Sequence, residues 1–170
     1  MRKYVKKIAA ITMAAAIVTG TAAEIFLQDP VAVCAAAKEM GPNKLQLKKV
    51  KDGYKVSNNM FSLKLPAVWK KAKFSVRTSR GEAKGSKVYS FVESTNAKKG
   101  YGGVVFNIEV SKKKTTYGDD CKVLAKKNKI YYTYYRATDV EYNNTDKKLT
   151  KNYKVLEKSL KSVIASFKVK

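Results

Sequence analysis

The chain contains no histidine, and only three prolines, two cysteines and one tryptophan among its 170 residues. Without histidine, the commonest general base, proton shuttle and metal ligand is missing, which excludes Ser–His and Cys–His nucleophiles and His-ligated zinc. Acidic residues are also scarce, 13 Asp and Glu against 36 Lys and Arg, for a net charge of +23. Long apolar runs are lacking too: the uncharged stretch from Ile8 to Ala23 is stopped by Glu24 and Asp29. It falls short of the roughly 20 residues that a membrane-spanning helix needs.

What the N-terminus does contain has the order of an export signal. Arg2, Lys3, Lys6 and Lys7 precede an apolar region from Ile8 to Val18, as a secretion translocon requires. Small residues suited to signal peptidase occur at Thr21, Ala22 and Ala23, and again at Ala35, Ala36 and Ala37 beyond Pro30. The second set is preferred. Residues 1–37 are therefore read as a signal peptide and the remainder as a secreted chain, with no transmembrane segment after cleavage. Cys34 follows Val31, Ala32 and Val33, which raises a lipoprotein alternative. That alternative is disfavoured, because Val33 stands where Gly or Ala is demanded and Cys34 lies far past the apolar region. With Cys34 removed, Cys121 is the one remaining thiol, so no internal disulfide forms and the domain depends on its core.

Removing residues 1–37 takes away four basic and two acidic residues, leaving 32 minus 11, or +21 on 133 residues. A chain of this charge attracts polyanions with a strength that falls as salt rises. Outside a Gram-positive cell the abundant polyanions are wall polymers and lipid headgroups. An anionic cell-wall polymer or an acidic protein is thus the expected partner, with no specific nucleic acid; a merely solubilising lysine coat is the bland alternative.

The pattern beyond residue 37 predicts one α+β domain over 52–170, an antiparallel sheet of about six strands covered by a long C-terminal helix. Residues 38–51, with Gly41, Pro42 and Asn43, read as a linker or a loosely attached first strand. Period-two alternation predicts strands at Phe61–Leu65, Phe74–Ser79, Lys87–Ser94 and Val104–Ser111. A hairpin joins the second and third of these through Gly81 and Gly85. Another pairs Cys121–Lys126 with Ile130–Ala137 around Asn128, and pairing continues at Val140–Tyr142. From Asp146 the period becomes helical, with Leu149, Tyr153, Leu156, Leu160, Val163, Ile164 and Phe167 on one stripe of about 20 residues. Thr145 or Asp146 is its N-cap, and Lys147, Lys148, Lys151, Lys154, Lys158 and Lys161 lie on its solvent side.

No catalytic, cofactor or metal set emerges, and the expectation is a non-enzymatic protein. Asp119–Asp120 and Asp139 with Glu141 are pairs suited to Ca²⁺ or acid–base work, though solvated pairs near lysines are favoured. Cys121 reads as a packed residue ahead of a nucleophile. The glycine loop at residues 99–103 is more suggestive: its backbone N–H groups are suited to cupping an anion beside Lys98, Lys99 and Tyr101, the alternative being a turn that needs positive φ. Trp69 and an exposed face of the tyrosine strand, Tyr132 and Tyr134 included, are candidates for stacking on a small ligand or glycan. Rings that only cover the sheet are the alternative.

The segments FSLKLPAVWKKAKFSV (61–76), GYGGVVFNIEV (100–110), CKVLAKKNKIYYTYYRATDVEY (121–142) and the closing SFKV (166–169) look like a group of secreted proteins of gut Clostridia to which no activity is attached. The strand, Pro and Trp opening formed by Phe61, Leu65, Pro66 and Trp69 is similar to that of the PsbP-like and Mog-type superfamily. The resemblance implies an antiparallel sheet flanked by helices. Members of that superfamily are non-enzymatic accessory proteins that stabilise a photosynthetic complex or bind a small GTPase; neither partner exists for a secreted protein of this kind, so the resemblance implies little about function.

Mass spectrometry of the secreted protein is expected to find its first residue between positions 35 and 38. Glu24 at the N-terminus, or a lipid on Cys34, would refute the preferred cleavage site.

Overall fold

The computed structural model describes residues 45–170 and the backbone of Ile25–Phe26. Apart from Ile25–Phe26, the stretch read as a leader, with Cys34 and both sets of small residues, lies outside the described residues. The strands are β1 (Ile25–Phe26), β2 (Gln46–Val50), β3 (Gly53–Ser57), β4 (Phe61–Pro66), β5 (Phe74–Arg80), β6 (Lys87–Glu93), β7 (Val104–Ser111), β8 (Lys122–Lys127), β9 (Ile130–Tyr135) and β10 (Lys168–Val169). The helices are α1 (Val68–Lys71), α2 (Ser94–Lys98), α3 (Lys147–Lys158) and α4 (Leu160–Ala165).

The α+β class holds, but the strands form two antiparallel sheets where one was expected. The larger runs β1-β5-β6-β7-β9-β8 and the smaller β10-β4-β3-β2. Period-two alternation identifies which side chains share a face but not which strand lies alongside, so it did not separate them. Leu47, Val56, Leu63 and Leu65 of the smaller sheet pack into one core with Val76, Phe91, Phe106 and Ile108 of the larger. Phe61 contacts both Tyr89 and Tyr132 edge-on, at 5.4 and 6.3 Å between centroids, and so links the two sheets. Of the two readings of residues 38–51, the second half is a strand: β2 pairs along its whole length with β3, and Leu45 and Leu47 are buried. Strand β1 pairs Ile25 with Val76 and Phe26 with Ser75. It lies inside the stretch that the sequence reading takes as a leader, so cleavage at 35–38 would remove it and leave β5 as the sheet edge.

Both hairpins form. Asn128 and Lys129 have φ of 51° and 62°, the consecutive positive values of a type I′ turn, whose twist matches the flanking strands. The register of β6 on β7 shifts at Phe91/Val92, where Phe91 faces Phe106 and Val92 faces Val104. Val105 is the extra residue of this bulge, and it is Val105, not Val104, that joins the core. The other face of β7 is buried as well, contrary to a half-buried strand: Glu109 is fully enclosed and accepts a hydrogen bond from Thr115 Oγ1 at 2.8 Å. Residues 140–142 form no strand.

The C-terminal helix is interrupted. Asp146 caps α3, accepting from the N–H groups of Lys148 (2.9 Å) and Leu149 (3.0 Å). Those bonds, Leu149's first, hold its carboxyl below the usual carboxylate range. The break falls at Ser159, whose Oγ donates to the Leu156 carbonyl at 2.7 Å and accepts from Trp69 Nε1 at 2.9 Å. A hydroxyl that bonds back to the preceding turn opens the backbone ladder there. α3 then packs on β6 and β7 while α4 packs on β4. Phe167, expected on the helix, lies beyond it and stacks on Phe61 at 5.4 Å, and the last residues return as β10 alongside β4.

Burial pushes the phenols of Tyr89, Tyr134 and Tyr153 up to about 12 from an ordinary 10. A phenol whose pKa rises on folding holds its proton more tightly in the native state. Its contribution is complete below pH 10 and is lost as pH climbs through 12. Absorbance titration at a tyrosinate wavelength is expected to show a class of tyrosines that ionises only together with loss of circular dichroism. A single class near 10, with the fold intact, would contradict this packing.

Candidate functional site

The residues singled out in the sequence do not converge. Trp69 has no exposed surface, and its ring meets Phe74, Phe91 and Phe106 edge-on. Tyr132 and Tyr134 are buried in the core, Tyr132 against Phe61 and Tyr134 against Phe106. None of the three presents a face to a sugar, because an aromatic ring on a strand or short helix satisfies the core before the solvent. Lys98, Lys99 and Tyr101 are exposed around the glycine loop, Tyr101 at 40%.

That loop is already occupied by an anion of the chain itself. The carboxylate Oε2 of Glu141 accepts from Val104 N at 3.1 Å, and the Glu141 carbonyl accepts from Gly103 N at 2.8 Å. Gly102 has φ of +73°, and a Cβ on it would overlap the Glu141 carboxylate. The glycines thus serve both purposes, a positive-φ turn and a close approach, with Glu141 as the guest. Of the other carboxylates, Asp120 pairs with Arg136 at 3.4 Å, Glu157 pairs with Arg136 and Lys154, and Asp139 stays exposed. Cys121 is half-buried, its thiol donating to the Thr115 carbonyl at 3.6 Å.

The site that does form lies between α1, α2 and α3. It is a cleft of about 380 Å³, within the lower range of small-molecule pockets. Val68, Ala72 and Val155 make its apolar floor, and Lys71, Lys73, Lys148 and Lys151 stand around it. No carboxylate lines it, and these four lysines form no ion pair among the described residues. On α3 the contributing positions are Lys148, Lys151 with Asn152, and Val155, a row at helical spacing beside the core stripe. Each lysine was legible only as part of a solvated coat. No local signal groups them, since α1 and α3 are far apart in the chain.

The cleft walls are held by a buried polar residue that the sequence reading passed over. Asn96 has no exposed surface. Its Nδ2 donates to Glu93 Oε2 at 2.7 Å and to the Leu149 carbonyl at 3.1 Å, and its Oδ1 accepts from Asn143 N at 3.0 Å. Glu93 in turn caps α2, accepting from Thr95 N (3.0 Å) and Asn96 N (2.7 Å). On the other wall, the Trp69–Ser159 bond ties α1 to the end of α3. No family model, curated protein or solved structure matches this chain, so its own residues carry the functional argument.

Replacing Asn96 by Ala leaves the Asn143 N–H without its acceptor and removes one of the bonds to the Glu93 carboxylate and to the Leu149 carbonyl. A buried group left unpaired costs about 1–3 kcal/mol, so Asn96→Ala is expected to lower stability by roughly 1–3 kcal/mol in chemical denaturation. A loss below about 1 kcal/mol would show that the network is not closed as described.

Proposed function

We propose that this protein is a secreted, non-catalytic module held at the cell surface by its positive charge, with an anionic wall polymer as its main ligand and an acidic protein as the second choice. One observation carries the reading: of the ten acidic residues between 45 and 170, six are engaged by the fold, while Asp52, Glu82, Asp119 and Asp139 stay exposed. Glu93 and Glu109 are buried. Glu93, Glu141 and Asp146 are bound to backbone N–H groups, and Asp120 and Glu157 share Arg136. Outside the cleft, Lys48, Lys49, Lys112, Lys113, Lys158 and Lys161 are exposed to solvent. A polyanion therefore meets a surface rich in lysine and poor in carboxylate, on a chain of net +21 beyond residue 37. Among the described residues no helix is long and apolar enough to cross a membrane, which agrees with contact through charge.

The glycan alternative has less support, since three of its rings, Trp69, Tyr132 and Tyr134, are core residues. Salt separates the two readings, because screening shortens from about 10 Å at 0.1 M to about 3 Å at 1 M, whereas stacking on a sugar is largely insensitive to it. Sedimentation with isolated cell walls is expected to show binding at low salt that is lost near 1 M salt and lost when the wall polymer is stripped. Binding that survives both treatments would overturn the charge-based reading.

A further inference from the structure

A flexible polyanion needs only a positive surface; it has no use for an apolar floor. The cleft between α1, α2 and α3 has one. Val155 is 39% exposed, one of three large hydrophobic residues exposed among those described. It occupies the position on α3 where the row Lys148, Lys151 would continue with a polar residue. Val68 and Ala72 of the α1 segment face it, both half-buried. Around this floor stand four ammonium groups with no carboxylate among them. Lys148 and Lys151 are three apart on one helix, a spacing at which like charges repel. Apolar contact and positive charge thus meet in one preformed cavity whose walls are anchored by Asn96 and Trp69.

We propose that this cleft binds an anionic amphiphile: a single alkyl chain laid on Val68, Ala72 and Val155, with its phosphate or carboxylate head held by Lys71, Lys73, Lys148 and Lys151. The ammonium groups supply the head with charge-assisted hydrogen bonds, and the cleft focuses their field on it. The site is separate from the dispersed lysine coat, so it stands or falls independently of wall-polymer binding.

The test uses dodecyl phosphate below its micelle concentration, with dodecyl maltoside as the neutral-headed control and inorganic phosphate as the headgroup alone, followed by calorimetry. Saturable binding of dodecyl phosphate is expected, at least about tenfold tighter than either control, a difference of about 1.4 kcal/mol. Lys71→Ala with Lys151→Ala removes two head contacts, and Val155→Asp places a carboxylate on the floor. All three are exposed positions, and each variant is expected to weaken binding about tenfold or more while circular dichroism stays unchanged and sedimentation with cell walls persists. Lys126→Ala with Lys129→Ala, on the β8–β9 hairpin, is expected to leave dodecyl phosphate binding as it was. Equal binding of dodecyl maltoside would overturn the role of charge, and equal binding of inorganic phosphate that of the floor. Cleft variants that bind normally, or a hairpin variant that binds as weakly as they do, would overturn the site. Loss of wall binding alone would instead count against the proposed function.

Discussion

Asn96 is the residue on which the helical side of the molecule depends. It has no exposed surface, and both donors and the acceptor of its side-chain amide are engaged. Its partners belong to separate pieces of chain: Glu93 at the end of β6, Asn143 in the irregular crossing, and Leu149 in the first turn of α3. Its own carbonyl accepts from Lys99 N and Tyr101 N and so shapes the entry to the glycine loop. An amide buried in this way is tolerated only when all of its bonds are made at once. That condition gives α2, the glycine loop and the start of α3 one mutual arrangement, and the walls of the lysine cleft follow from it.

The same economy governs the charges. With 13 acidic residues against 36 basic ones, carboxylates are used where a lone backbone donor would otherwise be exposed to an apolar neighbourhood. Glu93 caps one helix, Asp146 another, and Glu141 closes the glycine loop. Each of these anions is satisfied by N–H groups instead of lysine, so the lysines remain available to solvent and to ligands. Self-repulsion among them is offset by a shared aromatic core, in which Phe91 and Phe106 stack at 4.2 Å and Trp69 meets three rings edge-on.

Much of the local structure was legible. Alternation at Phe61–Leu65 and Phe74–Ser79 marks strands, Asn128 marks a tight hairpin, and Asp146 starts the helix, all in the correct place. Each signal is carried by neighbours in sequence, through backbone geometry or a cap two or three residues away. The helix α2 was missed because its cap is a glutamate at the end of a strand and its five residues show no apolar period. The interruption at Ser159 was missed because the apolar stripe runs straight through it, and the hydroxyl's second partner, Trp69, lies 90 residues away.

Composition and short-range pattern by themselves determined the class of the fold, most of its strands, the start of its terminal helix and its strongly positive charge. They act through interactions between residues close in the chain, or through the sum of all charges, and neither depends on topology. Tertiary structure alone decided the division into two sheets, the burial of Trp69, Tyr132 and Tyr134, the capture of the glycine loop by Glu141, and the gathering of Lys71, Lys73, Lys148 and Lys151 around an apolar floor. Those outcomes turn on which distant segments meet. A lysine on a helix surface has the same local surroundings in the sequence whether it stands alone in water or faces three others across a cleft.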